Sequence, residues 1–193
     1  QINPHYLYNT LEIMHMKAYM CKDYETATMA ELLGQNLQYG LRNTTKEVPL
    51  EEEIHQLNIY RAILAYQYNE RIQFNICIDR ELYSCHVLKL VFQPIVENAV
   101  IHGIEPSEVP CKLSVEAERH GNSLYILIED DGVGFKEEEL NSPESIGIKN
   151  VENRISLWGP DIRLYIYRID GRTIQVLIVP FKEEKHEDTG DRR

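Results

Sequence analysis

The stretch QPIVENAVIHG, residues 93–103, belongs to an apolar segment that predicts a helix in the core of a compact domain. The segment runs from Val87 to His102. Pro94 lies inside it, and because proline lacks a backbone N–H, it should start or kink the helix. Asn98 on this helix is either a hydrogen-bonded polar group or, since amide oxygens are hard donors, a magnesium ligand.

Strands are predicted on both sides of this helix. The alternating sequence IQFNICI, residues 72–78, predicts a strand that follows a helix from Leu50 to about Tyr68. Further strands are predicted at about 112–118 and 123–129, joined by a turn at 119–122, and at 163–169 and 173–179, joined at Asp170-Gly171. This order is not the regular alternation of strand and helix found in dinucleotide-binding folds. The sequence contains neither GxxxxGKS nor GxxxxGKT, which excludes a P-loop.

The sequence DDGVGF, residues 130–135, is a turn that leaves the strand 123–129. Gly132 and Gly134 would let the backbone approach a flat ring or a phosphate closely, and a buried Asp130 would accept a hydrogen bond from an exocyclic amine. The same residues also fit an ordinary turn. Beyond them, residues 136–145 are predicted to form a loop, Val151 to Trp158 a helix, and the charged residues after Phe181 a disordered tail.

The opening sequence QINPHYLYNTL, residues 1–11, places a histidine in the first turn of a helix. Asn3 can cap this helix, and Pro4 suits its first position. His5 and Asn9 are four residues apart and therefore share one face. A neutral imidazole is one of the few side chains that can accept a phosphoryl group at pH 7, although a histidine at this place is also a common surface residue.

Two amphipathic helices are predicted before the core domain, from Pro4 to Cys21 and from Tyr24 to Asn43, with Asp23 as the cap of the second. The short turn between them implies an antiparallel hairpin. Two helices alone bury little apolar surface, so the hairpin either pairs with a second copy as a four-helix bundle or packs back on the following domain. The polar segment from Asn43 to Pro49 is predicted to be a linker.

The chain is acidic, with 31 acidic and 20 basic residues in 193 and a formal net charge of −11. It has no basic run, which argues against nucleic acid as a partner. An acidic protein that binds a polyanion such as ATP needs a divalent cation to offset the repulsion, so magnesium is implied if a nucleotide is. Four scattered cysteines indicate reduced thiols in a cytosolic protein. Because the chain begins at Gln1, we expect a fragment that leaves out any upstream sensor or membrane region.

Four motifs, in this order, resemble the sensor histidine kinases of the YesM/LytS type. QINPHYLYNTL is similar to that family's phosphoacceptor box and QPIVENAVIHG to its asparagine box, while DDGVGF and SIGIKNVENR, residues 145–154, resemble its two glycine boxes. The resemblance implies an α+β chain with a dimerisation and phosphoacceptor helical hairpin in residues 1–45. An ATP-binding domain would follow in residues 46–182, as a two-layer α/β sandwich of the GHKL (Bergerat) type with a mixed sheet. Residues 183–193 would be a charged, disordered tail.

The same resemblance implies roles for individual residues. His5 would accept the γ-phosphoryl group of ATP, and Asn98 would ligate Mg²⁺. Asp130 would accept a hydrogen bond from the adenine amino group, supported by Thr173 through a shared water. The remaining nucleotide contacts would come from His102, Gly132, Gly134, Gly147 and Lys149.

The group that removes the proton from His5 stays open, because Tyr6 follows the histidine where many other kinases carry an acid. Glu97, beside Asn98, and Glu12, on the His5 face, are both candidates. Glu97 could instead contact a ligand of the metal. Asn9 either orients a water that removes phosphate from a partner's aspartate or is a plain surface amide.

The resemblance also implies that the phosphoryl group passes from His5 to an aspartate of a response regulator, in a homodimer held by the N-terminal helices. We accordingly expect the cytoplasmic part of a membrane sensor. Two other functions stay open at this stage, namely a nucleotide-binding switch without kinase activity and a hydrolytic ATPase of the same fold.

Overall fold

The computed structural model describes residues 4–41, 47–134 and 161–181. It begins with the predicted helical hairpin, formed by α1 (Pro4–Met20) and α2 (Tyr24–Leu41). The chain reverses at Lys22, whose φ of 61° is left-handed. Asp23 caps α2 as predicted, because its Oδ1 accepts the backbone N–H of Thr26 at 3.1 Å. His15 on α1 joins the two helices through its Nδ1, 3.0 Å from the carbonyl oxygen of Ala27.

The described strands of the main sheet lie in the order β2-β4-β5-β7-β6. Their bounds are Ile72–Ile78 for β2, Cys111–His120 for β4, Ser123–Asp130 for β5, Arg163–Ile169 for β6 and Arg172–Pro180 for β7. The β2 and β4 strands are parallel and the other pairs antiparallel, so the sheet is mixed, as predicted. Both predicted hairpin turns are present, and Asp170 and Gly171 both have positive φ, which suits a two-residue turn between twisted strands.

Two helices cover one face of this sheet. They are α3 (Leu50–Tyr68) and α4 (Gln93–Asn98), and α4 continues as a π-helical segment, Ala99–Ile104. Side chains alternate between buried and partly exposed along β5 and β7, so one face of each strand packs against the helices. The largest fully buried side chains of this layer include Leu57, Phe92, Ile95, Leu113, Ile126, Ile128 and Leu177. The result is the predicted α+β fold with helices on one side of a mixed sheet.

The prediction of a linker from Asn43 to Pro49 is wrong for its last three residues. Glu47–Pro49 forms a short strand, β1, which pairs antiparallel with β3 (His86–Leu88). Val48 and Val87 lie opposite each other and are both buried. Burial of this valine pair explains why a polar segment ending in proline is ordered here.

The predicted start of the core helix at Val87 is also wrong. Residues 86–88 are strand β3, and α4 begins at Gln93, so Pro94 lies in the first helical turn. That position needs no donor from the proline nitrogen, and it fixes where the helix starts. At its other end the helical backbone reaches Ile104, two residues beyond the prediction.

The predicted loop at 136–145, the predicted helix from Val151 to Trp158 and the predicted tail after Phe181 lie outside the described ranges. Within those ranges, no helix combines the length and the apolar character needed to cross a membrane.

Candidate active site

Asp130 is the last residue of β5 and points to the helix-covered face of the sheet, where it is 1% exposed. Its Oδ1 accepts the backbone N–H of Gly132 at 3.1 Å. Its Oδ2 is buried and has no hydrogen-bond partner among the described residues. Burial of the carboxyl group raises the pKa of Asp130 to about 6, against the opposing effect of the hydrogen bond from Gly132. The side chain therefore has an acceptor available when it is ionised.

Thr173 lies directly opposite Asp130 in the antiparallel pair of β5 and β7. It is also buried, and within the described ranges its hydroxyl oxygen has no hydrogen-bond partner. Two buried polar side chains at adjacent positions of one sheet edge are costly unless something pairs with them. This arrangement is suited to a polar ligand that can donate and accept hydrogen bonds. The register makes the two residues neighbours, and the shared role that the resemblance gave them stays a prediction.

Glycines let two backbone segments approach this carboxyl group. A Cβ atom on Gly103 would overlap the Asp130 carboxyl group, and one on Gly132 would overlap the carbonyl group of Gly103. The N–H of Val133 donates to that same Gly103 carbonyl at 2.7 Å. Gly134 has a left-handed φ of 67°, and a Cβ there would meet the guanidinium group of Arg168. Residues 132–134 therefore form a close-packed wall beside Asp130, here called the glycine wall, rather than an ordinary turn.

Asn98 ends α4, and its Oδ1 is buried with no hydrogen-bond partner in the part of the chain that the structure describes. An amide oxygen is a ligand that Mg²⁺ accepts, so an unpaired one at this place fits a divalent cation. Glu97 precedes it and accepts a hydrogen bond from Gln93 Nε2 at 2.7 Å. His102 lies about one turn beyond Asn98 on the π-helical segment and is exposed.

His5 lies in the first turn of α1 and is exposed. The Nδ2 atom of Asn9 is 3.3 Å from His5 Nδ1, so the two residues contact each other as their spacing predicts. Glu12 is exposed on the same helix. These residues belong to the hairpin, whereas the α4 residues and Asp130 belong to the layered domain. Gly147 and Lys149 lie outside the described residues.

Three residues that help to build this site were missed from the sequence. Gly103 was noticed only as the end of a motif, although its lack of a side chain makes room for Asp130. Arg168 donates a hydrogen bond to the carbonyl of Val133 and so supports the glycine wall from strand β6. Glu53, which lies in the first turn of α3, accepts hydrogen bonds from the segment that leads into α4.

The chain is similar to known histidine kinases. A family described as "Histidine kinase" matches residues 1–72. The sensor histidine kinase YesM of Bacillus subtilis is 32% identical over 188 residues, which cover 95% of this chain and 33% of that protein. The sensor histidine kinase BtsS of Escherichia coli is 30% identical over 187 residues, covering 95% of this chain and 33% of that protein. The chain thus spans about a third of the length of the curated relatives it matches.

Solved structures show the same fold at low sequence identity. The catalytic domain of histidine kinase ThkA aligns with a TM-score of 0.55 at 16% identity, covering 72% of this chain and 97% of that one. The histidine kinase domain of a blue-light activated kinase from Erythrobacter litoralis aligns with a TM-score of 0.54 at 16% identity, covering 92% of this chain and 93% of that one. These structures show the fold, and the sequence matches along almost all of its length place the chain in the family of sensor histidine kinases of the YesM/LytS type.

Proposed function

We propose that this chain is the kinase core of a two-component sensor, which transfers the γ-phosphoryl group of ATP to His5 and then to an aspartate of a response regulator. The observation that carries the proposal is the buried carboxyl group of Asp130, whose Oδ2 has no partner within the described ranges, beside the glycine wall. A buried acceptor next to a backbone that can approach a flat ring is what recognition of adenine needs.

Asp130 would accept a hydrogen bond from the amino group of adenine, and Thr173 would support that contact from the adjacent strand. Gly132 and Gly134 would form the wall against the ring. This assignment selects adenine over guanine, because guanine carries a carbonyl oxygen where adenine carries the amino group, and a carboxylate repels that oxygen.

Asn98 is the residue that we propose as a ligand of Mg²⁺, through its buried Oδ1. A bound Mg²⁺ would supply positive charge that offsets the charge developing on the phosphates. His102, which is exposed about one turn further along the same helical unit, is the residue that we propose as a phosphate contact. Gly147 and Lys149 complete the proposed set of phosphate contacts.

His5 would act as the nucleophile through its imidazole ring. Asn9 Nδ2 lies 3.3 Å from His5 Nδ1 and would donate a hydrogen bond to it, so the neutral ring would carry its proton on Nε2. A base would remove that proton as Nε2 forms the new bond to the γ-phosphorus and the bond to the ADP oxygen breaks. Glu97 and Glu12 are the proposed candidates for that base. Asn9 would also orient a water when phosphate is removed from the regulator.

The hairpin, in residues 1–45, would serve as the dimerisation and phosphoacceptor unit, and residues 46–182 as the ATP-binding domain. Exposed apolar side chains on α1 support pairing with a second copy, because Ile13, Met14, Met16 and Met20 are each more than half exposed. ATP and response regulators belong to the cytoplasm, so we place this part of the protein there.

Labelling with γ-labelled ATP and magnesium tests the proposal. We expect an acid-labile, base-stable label on the wild-type chain and none on His5→Ala. The matched control is His15→Ala, which removes another histidine from the same helix and should keep the label. Label that persists on His5→Ala rejects this acceptor, whereas release of free phosphate with no labelled protein indicates a hydrolytic ATPase. Bound nucleotide with neither product, in a sample shown to be dimeric, indicates a non-catalytic switch.

A further inference from the structure

We propose that Tyr39 and Glu53 link the seating of the hairpin on α3 to the position of α4, so that Glu53 is a positioning residue for Asn98 and the bound nucleotide. Tyr39 belongs to α2 of the hairpin, and Glu53 to the first turn of α3. The part that concerns nucleotide binding rests on the function proposed above. The part that concerns the contact between the hairpin and α4 does not.

Glu53 holds the segment that leads into α4. Its side chain is buried, at 2% exposed, and residues 90–92 surround its carboxylate with backbone donors. The donors are the N–H groups of Leu90, Val91 and Phe92, at 2.7, 3.0 and 3.4 Å. These groups lie just before the helix and are not satisfied within it. The carboxylate therefore holds three residues that lie 37 to 39 positions further along the chain, and so fixes where α4 begins.

The backbone at the first of these donors is strained. Leu90 has a φ of 59°, in the left-handed region that a residue with a branched side chain rarely adopts. Such a conformation persists only when its surroundings enforce it. The shortest of the three hydrogen bonds to Glu53 comes from this same residue, which makes Glu53 the contact that holds the strained turn in place.

Tyr39 completes the shell of Glu53 from the hairpin. Its hydroxyl group donates to Glu53 Oε1 at 2.7 Å, the same oxygen that accepts from Leu90. Its ring also lies under Lys89, with Nζ 4.7 Å from the ring centroid, so one tyrosine contacts both the carboxylate and the strained segment. Burial raises the pKa of Glu53, and the donated hydrogen bonds, that of Tyr39 first among them, oppose the rise and favour its charged form.

Movement of the hairpin away from α3 would withdraw one donor from a buried carboxylate. The remaining charge would be less well satisfied, the hold on Leu90 would weaken, and α4 would be freer to shift with Asn98 at its far end. By linkage, a hairpin that is seated on α3 strengthens nucleotide binding, and bound nucleotide favours the seated hairpin. This coupling acts through the hydrogen bond between Tyr39 on the hairpin and Glu53 on α3.

A second polar contact between the hairpin and α3 provides a matched control. Gln56, which is buried on α3, donates through Nε2 to Asn36 Oδ1 on α2. It lies one turn from each member of the Tyr39–Glu53 pair and does not touch Glu53 in the described contacts. Asn36→Ala should loosen the hairpin about as much as Tyr39→Phe does, without changing the shell of the carboxylate.

Residue-resolved amide exchange of the full chain tests the coupling without need of kinase activity. In Tyr39→Phe, which keeps the ring, we expect the amides of Leu90 and Val91 to exchange about tenfold faster, while Asn36→Ala leaves them within about twofold of wild type. Equal acceleration in both variants, or none in Tyr39→Phe, overturns the proposal. Glu53→Gln should give the fastest exchange at these amides, because an amide accepts fewer and weaker hydrogen bonds.

Calorimetry with MgADP tests the consequence for the site. Tyr39→Phe should bind MgADP several-fold more weakly than Asn36→Ala, with thermal unfolding of the two variants matched. If the two variants bind equally, Glu53 does not position α4 for nucleotide, whatever the exchange shows. If the folded wild-type chain binds no MgADP, the proposed function fails and the positioning role fails with it. The exchange result then decides only whether Tyr39 holds residues 90–92.

Discussion

Asp130 and Thr173 face each other across strands β5 and β7, and each has a buried side-chain oxygen with no hydrogen-bond partner among the described residues. Burying polar groups in this way costs stability. The cost arises at the end of β5, beside the glycine wall. We interpret the pair as a site built for a ligand at the expense of the unliganded fold, a common property of functional sites.

Nucleotide affinity should depend on pH through Asp130. Because the pKa of this carboxyl group is raised to about 6, the group is fully ionised, and so fully available as an acceptor, only above that pH. We expect the Kd for MgADP to be flat above about pH 7 and to rise roughly tenfold per pH unit below 6. Isothermal calorimetry between pH 5 and 8 measures this. Titration of MgADP alone over the same pH range is the control, since it measures the protons that the nucleotide itself takes up.

The stability of the unliganded chain should also depend on pH through Asp130, but here the protonated carboxyl group is the favourable form. The folded state holds the proton at higher pH than the unfolded state does, so the free energy of unfolding falls as pH rises from about 4 to about 6 and is then level. Asp130→Asn lacks that fall. It should therefore be more stable than the wild-type chain above pH 6, by on the order of 2 kcal/mol, in denaturant titrations at pH 7. If Asp130→Asn is instead less stable than the wild type at pH 7, the ionised carboxylate of Asp130 does not destabilise the unliganded fold, and this account of Asp130 is contradicted.

Gly132→Ala should damage the site because its Cβ would overlap the Gly103 carbonyl group, which is backbone and cannot move cheaply. We expect a loss of about 2 kcal/mol in the free energy of unfolding, with loss of nucleotide binding. Gly40→Ala is the matched control. A Cβ at Gly40 meets nothing within 4 Å, and alanine favours the helix, so stability should stay level or rise. Equal effects of the two substitutions would show that the glycine wall is not tightly packed.

Asn98→Ala should separate metal-dependent from metal-independent binding. Because Asn98 Oδ1 is buried with no partner within the described ranges, its removal should leave thermal stability unchanged or slightly raised. Binding of ADP in the presence of EDTA should be preserved, whereas the gain in affinity on adding Mg²⁺ should shrink by about tenfold. If Mg²⁺ raises the ADP affinity of Asn98→Ala as much as that of the wild type, residues other than Asn98 bind the metal.

Patterns within one element were sufficient to predict much of this structure. The alternation in residues 72–78 and the cap of α2 at Asp23 fix local structure, and these elements begin and end close to where they were expected. The strand pair β1–β3 was missed because three residues carry no usable periodicity, and Val48 becomes a strand residue only when Val87 lies opposite.

For the site residues too, patterns within one element could be predicted and contacts between distant elements could not. Asp130, Thr173 and Asn98 lie on elements that sequence patterns place, and each has a buried oxygen without a partner in the part of the chain that the structure describes. Glu53 could not be assigned in advance, because an acidic residue in a first helical turn is explained by the helix dipole alone. Its contacts with residues 90–92 exist only after the chain has folded.

The central claim is that the end of β5 binds an adenine nucleotide through Asp130, and calorimetry with MgATP tests it most directly. We predict binding of one nucleotide per chain to the folded wild type and its loss in Asp130→Asn. Asp131→Asn changes the next residue, which is exposed and whose Oδ1 accepts a hydrogen bond from the backbone of Lys112, and it should bind as the wild type does. No binding by the folded wild-type chain, or equal binding by Asp130→Asn, would contradict the account.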